Sequence, residues 1–191
     1  MKPRHYSDFF SMPAKQPLLC LSLFMSCIAP VALAANSNEA LADPTPTLAL
    51  YQTVDNNTEP ACAFDLPGYG SGTSVKLLPK KTCPKVEDKV IDPHSLRIRN
   101  VPIATRFLLT SVASCDKSEK NAAWIELETT RANASLEKLG IDKLWTYSGY
   151  VTNSGLDSNA PSRGFKVTAK GDPIKQGSLS CIQVTTSAGS N

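Results

Sequence analysis

Cysteine number and spacing say most about the chemistry open to this chain. Two of its six cysteines, Cys20 and Cys27, sit in an apolar N-terminal run; the others are Cys62, Cys83, Cys115 and Cys181. None of these four belongs to a C-x-x-C pair, so a zinc site or dithiol redox centre would have to gather widely scattered thiolates. In an oxidising compartment an even set of this kind reads as two disulfides, each worth about 2–4 kcal/mol by limiting the unfolded chain. Their pairing is left open among the possible connectivities.

Acid–base chemistry near neutral pH would fall to His94, the one histidine beyond residue 34, which follows Pro93 in a turn-like stretch. An exposed turn residue is its simpler role. A serine triad would have to recruit His94, yet the chain has no G-x-S-x-G elbow, and it has no P-loop, dinucleotide fingerprint or H-E-x-x-H pattern. Carboxylate pairs of the glycosidase kind leave no spacing to read, because the fold sets their separation. Trp124 alternates with Glu126 and so shares its strand face, while Trp145 and Tyr147 form a stripe that Gly149 interrupts. These aromatics could stack on a sugar, but core packing is the stronger reading.

Lys2, Arg4 and Lys15 precede an apolar run at 18–29 that is too short to span a bilayer but has the length of a signal-peptide core. Val31-Ala-Leu-Ala34 then puts small residues at both A-x-A positions, predicting a signal peptide over 1–34, cleavage after Ala34 and a secreted or periplasmic product. Beyond Ala34, 17 basic residues face 16 acidic ones, a net charge of about +1 against +3 for the whole chain. That near balance lacks the clustered positive charge by which nucleic acid or an anionic membrane is held. No second apolar run reaches membrane-spanning length, so no span is expected in the exported part. The partner expected is a protein or a cell-envelope or extracellular polymer.

The elements that must position these residues read mostly as strands. Residues 35–59 form a polar lead-in with a possible first strand at 48–54. Short β-branched and aromatic segments follow at 61–66, 73–78, 95–99, 105–112, 123–128, 144–151, 164–169 and 178–185. In Ser95-Leu-Arg-Ile-Arg99 the alternation turns Leu96 and Ile98 to one side and Arg97 and Arg99 to the other. Gly, Pro, Asn and Ser clusters at 67–72 and 153–161 punctuate the strands. One short helix is predicted over 131–139, with Gly140 as its stop. The pattern predicts an all-β class: a single antiparallel, disulfide-stabilised β-sandwich over 60–186, with 187–191 as a flexible tail.

Cys62-Ala-Phe-Asp-Leu-Pro-Gly-Tyr-Gly-Ser-Gly72 resembles the first hairpin of a βγ-crystallin Greek key, with Phe64 and Tyr69 at the family's aromatic spacing. Ser71 stands where the family has its glycine, between Gly70 and Gly72. Ser95-Leu-Arg-Ile98 and Ser180-Cys-Ile-Gln-Val184 look like the closing strands of two motifs, and Arg106-Phe-Leu-Leu-Thr110 like the opening strand of the second. The resemblance implies one two-motif Greek-key sandwich with insertions around 129–176, and it permits protease inhibition. It also implies calcium binding through an Asn/Asp pair shortly before Ser/Thr-Ser, a source of hard oxygen ligands. Glu87 and Asp88 could begin such a site, but Ile-Asp-Pro-His intervenes before Ser95, and Gln176-Gly177 replaces the pair in the second motif. Solvated surface carboxylates are therefore favoured and no cofactor is expected. The resulting expectation is an exported, non-enzymatic β-domain that binds a macromolecule, with a calcium-stabilised structural protein and a carboxylate-based hydrolase as competitors.

Overall fold

A computed structural model of the chain describes residues 44–53, 59–152 and 162–188. The predicted signal peptide, residues 35–43 of the lead-in and the end of the tail lie outside these. Nine strands and two short helices follow in the order β1 (Thr47–Tyr51), β2 (Cys62–Asp65), β3 (Ser74–Leu77), α1 (Pro79–Thr82), β4 (Ser95–Val101) and β5 (Arg106–Thr110). After them come β6 (Trp124–Thr129), β7 (Ala134–Gly140), α2 (Ile141–Trp145), β8 (Phe165–Lys170) and β9 (Cys181–Thr185). Among the described residues no helix is long and apolar enough to cross a membrane.

Two antiparallel sheets result, ordered β2-β1-β4-β7 and β3-β9-β5-β6-β8. Period-two patterning decides what lies between them. In the first sheet Leu48 stands between Phe64 and Ile98, and Leu50 between Cys62 and Leu96. In the second, Phe107 stands between Leu127 and Val184, and Leu109 between Ile125 and Ile182. Residues of both sheets join one apolar cluster. Phe107 also meets Phe165 with ring centroids 5.8 Å apart, and each fully buried side chain of this size contributes about 1.5–3 kcal/mol. As the alternation predicts, Leu96 and Ile98 are buried and Arg97 and Arg99 are half-buried on the opposite face. β1, which precedes residue 60, is an interior strand between β2 and β4.

The helix predicted over 131–139 is instead strand β7, and the short helices α1 and α2 lie elsewhere. Leu136 and Leu139 have the three-residue spacing of a helix face, but a β-bulge produces it here. Leu139 pairs with Leu96 and Leu136 with Ile98, so three steps along β7 match two along β4. The bulge keeps both leucines inward, and Glu137 and Lys138 between them are buried as well. The strand predicted over 144–151 is likewise replaced: α2 buries Ile141 and Leu144, and Tyr150 makes only an isolated bridge to Lys166.

One side of the sandwich is closed by extra backbone pairing. Ser135 and Arg163 exchange N–H···O bonds of 3.0 and 2.7 Å along β7, and residues 149–151 bond to β8 through Val151 N to Phe165 O (2.9 Å) and Val167 N to Gly149 O (2.9 Å). On the outer face of the first sheet Tyr51 is buried under two cations. Lys138 Nζ lies 4.3 Å and the Arg97 guanidinium 5.7 Å from its ring centroid. Burial pushes its hydroxyl pKa up, with the nearby charges of Arg97 and Arg99 pulling the other way.

Candidate functional site

The four cysteines pair as Cys62–Cys83 and Cys115–Cys181, with Cα separations of 5.5 and 5.4 Å. The first ties edge strand β2 to the segment after α1, spanning the crossover of β3 into the other sheet. The second ties the β5–β6 loop to the start of β9. These sulfurs are crosslinks, neither nucleophiles nor metal ligands.

Glu87 and Asp88 are the two central residues of a tight hairpin turn, closed by Val86 N to Lys89 O and Lys89 N to Val86 O at 3.0 Å each. Both have positive φ, 51° and 60°, the mark of a type I′ turn, and both side chains are exposed. Among the described residues no three His, Cys, Asp or Glu side chains gather where they could hold a metal. Asp92 pairs with Lys80 at 3.2 Å. His94 serves the fold through its backbone: its N–H donates to Tyr51 O (2.8 Å), and its carbonyl accepts from Ile141 N (3.0 Å).

Glu126 and Glu128 do share a concave site, a groove of about 410 Å³ across the outer face of the second sheet that Arg106, Lys117 and Gln183 also line. Lys117 Nζ lies 2.7 Å from Glu126 and Arg106 Nε 3.9 Å from Glu128. Both carboxylates project from one strand face, about 7 Å apart along the chain at two residues' rise. A separation of about 7 Å would leave room for a water between them, but each carboxylate is engaged by a cation. Trp124 lies at this groove's margin with Lys117 Nζ 5.1 Å from its ring centroid, and Gly171 packs against its indole so closely that any Cβ there would collide with it. Trp145 belongs to α2; its Nε1–H donates to Gly171 O at 2.9 Å, and Lys170 Nζ lies 4.4 Å from the ring centroid. Neither ring is an open stacking platform.

A second pocket lies at one end of the sandwich, where four segments meet: 44–46 ahead of β1, 66–69 after β2, 100–102 at the end of β4, and 132–133 between β6 and β7. Its volume is about 410 Å³. Leu66 forms a buried floor, and the pyrrolidine rings of Pro44, Pro46 and Pro102 stand around it. Tyr69 is 71% exposed at the rim. Asn100, near the end of β4, and Asn133, in the turn before β7, line the pocket from left-handed backbone, φ 58° and 50°, which asparagine tolerates better than most residues. Their side-chain amides have no hydrogen-bond partner among the described residues. The walls are held from behind by Leu66 N to Pro46 O (2.8 Å), Thr105 Oγ1 to Pro102 O (3.0 Å) and Thr105 N to the buried Thr129 Oγ1 (2.8 Å).

The chain matches no protein-family model, no curated protein and no solved structure.

The end pocket therefore rests on its own geometry. Loops tied by backbone hydrogen bonds, a buried apolar floor and a few polar groups at the rim make it a place to hold a ligand. Tyr69 was visible in the sequence as part of a glycine-rich turn, but Pro44, Asn100 and Asn133 were not, because four loops distant in sequence build the pocket. The single local signal was asparagine at turn positions between strands.

Proposed function

We propose that this chain is an exported, non-enzymatic binding domain of βγ-crystallin type that holds a macromolecular partner at the Tyr69 end of its sandwich. The strand order supports the two-motif reading. In the first half β2 and β4 flank β1 while β3 joins the opposite sheet. In the second half β6 and β9 flank β5 while β7 joins the opposite sheet. Each set places its fourth strand beside its first, as a Greek key does, with the third strand exchanged; β8 is an addition at the edge. Two disulfides fit an oxidising compartment, in line with the export signal read at residues 1–34.

The observation that carries the binding reading is the end pocket, where hydrogen-bonded segments present an exposed ring and two amides around a buried floor. The test is capture from the extracellular fraction on immobilised protein, comparing wild type with Tyr69→Ala and with Glu126→Gln/Glu128→Gln. Material retained by wild type and by the double variant, but lost with Tyr69→Ala, is expected. Retention independent of Tyr69 would overturn the reading.

A second reading, a carboxylate-based hydrolase, is favoured by one observation: Glu126 and Glu128 share a groove. It requires that Glu126→Gln/Glu128→Gln abolish hydrolysis of glycan or peptide substrates. Their ion pairs with Lys117 and Arg106 argue for a structural role.

A further inference from the structure

We infer that the end pocket is a subsite for an uncharged, hydroxyl-rich sugar unit of an extracellular glycan. This rests on the binding reading above and names its ligand class. The first argument is charge. Among the described residues none that lines the pocket carries a formal charge, so a phosphate, carboxylate or ammonium ligand would lose its water without gaining a counter-ion from them.

The second argument is the kind of polar group present. The amides of Asn100 and Asn133 each offer a coplanar donor and acceptor, the pairing that neighbouring hydroxyls on a sugar ring can satisfy together. Neither amide is spent on a protein partner among the described residues; Asn100 is held by the end of β4 and Asn133 by the turn between β6 and β7. Pre-set backbone of this kind lowers the ordering cost of binding.

The third argument is apolar surface with the right shape. A sugar has one face made largely of C–H groups, which an exposed aromatic ring accommodates. Tyr69 supplies that ring, and its hydroxyl adds a further hydrogen-bonding group. Pro44, Pro46 and Pro102 add stiff hydrocarbon walls. The volume, about 410 Å³, lies in the range of small-ligand sites, about 300–1,000 Å³. It suits a short stretch of a glycan chain and is too small for a folded surface. A polyproline peptide is the main rival, but such segments dock in grooves lined by several aromatic rings, and among the described residues this pocket has one.

The experiment uses the exported chain with both disulfides formed, on an array of neutral, anionic and cationic oligosaccharides together with proline-rich peptides, followed by calorimetric titration of the best neutral glycan. Binding of at least one neutral glycan is expected, with affinity little changed between low and high salt. Tyr69→Ala should weaken it about tenfold. Asn133→Gly, which keeps the left-handed turn but removes the amide, should weaken it about three- to tenfold. Tyr69→Phe should retain most of the binding, and Glu126→Gln/Glu128→Gln all of it. Unchanged melting temperatures would separate these losses from misfolding. Failure of every neutral glycan to bind, or binding that ignores Tyr69 and Asn133, overturns the inference. If proline-rich peptides or charged glycans bind through Tyr69 instead, the sugar assignment falls while the binding reading stands. If capture from the extracellular fraction also proves independent of Tyr69, both fall.

Discussion

The ion pair between Arg99 and Glu137 should be asymmetric, and its asymmetry can be calculated from exposure. Glu137 has a side chain only 6% exposed, whereas that of Arg99 is 43% exposed. Arg99 Nη2 donates to both carboxylate oxygens, at 3.0 and 3.4 Å. Arg99→Met leaves the carboxylate buried and uncompensated, a change that costs about 3–5 kcal/mol for a buried pair. The Arg99 Nε, however, is already buried without a partner among the described residues, and removing it returns about 1 kcal/mol. The expected loss is therefore about 3 kcal/mol. Glu137→Gln keeps the shape, and the guanidinium it releases can turn to water, so about 1 kcal/mol is expected. The double variant Arg99→Met/Glu137→Gln should then be more stable than Arg99→Met alone, with a coupling of about 2 kcal/mol. Urea denaturation followed by tryptophan fluorescence measures all four corners, with m unchanged as the check on a common unfolded state. Additive losses, or a Glu137→Gln variant that costs more than Arg99→Met, would refute the reasoning.

Replacing Cys115 and Cys181 together by alanine should cost about 4 kcal/mol, and Cys62 with Cys83 about 3, because the crosslinks span 66 and 21 residues and loop entropy grows with span; denaturant midpoints that reverse this order would contradict it. Burial raises the Tyr51 pKa, so the fold favours its neutral form. That stabilisation is complete below about pH 10, the unfolded value, and is lost as pH rises through the raised folded value. Tyr51→Phe should therefore lose less stability than wild type on going from pH ~9 to above ~10, and parallel alkaline melting profiles would count against the burial argument. Calcium or a chelator at millimolar concentration should leave Tm unchanged, since Glu87 and Asp88 are exposed turn residues with no third ligand gathered beside them among the described residues; a calcium-dependent rise would make them a site.

The sheet class was legible because alternation is a local property. Ser95-Leu-Arg-Ile-Arg99 announced its inner and outer faces, and Arg106-Phe-Leu-Leu-Thr110 coincides with β5. β7 was misread for an equally local reason: Ala134-Ser-Leu-Glu-Lys-Leu139 is rich in helix formers, and a bulge gives its leucines helical spacing. Only the partner strand β4 decides between the two. Leu144, Trp145 and Tyr147 read as strand on aromatic content, but Trp145 instead spends its N–H on Gly171 across 26 positions. The cysteine count implied two crosslinks, while their pairing needed the chain's path. The pocket was the least legible feature, since no local window contains Pro46, Tyr69, Asn100 and Asn133 together.

The seat of β9 carries a consequence for how the protein comes into being. It is the last strand in the chain, yet it lies inside the second sheet, between β3 and β5. Until its residues are synthesised, β3 has no neighbour to pair with and β5 has only β6. At about 5–20 residues per second, most of the nascent chain waits with an unfilled gap in the middle of one layer. Such a chain keeps unpaired strand edges exposed until its C-terminal segment arrives. Deletions near that end should accordingly act as the removal of a keystone, whereas trimming β8 removes only a margin.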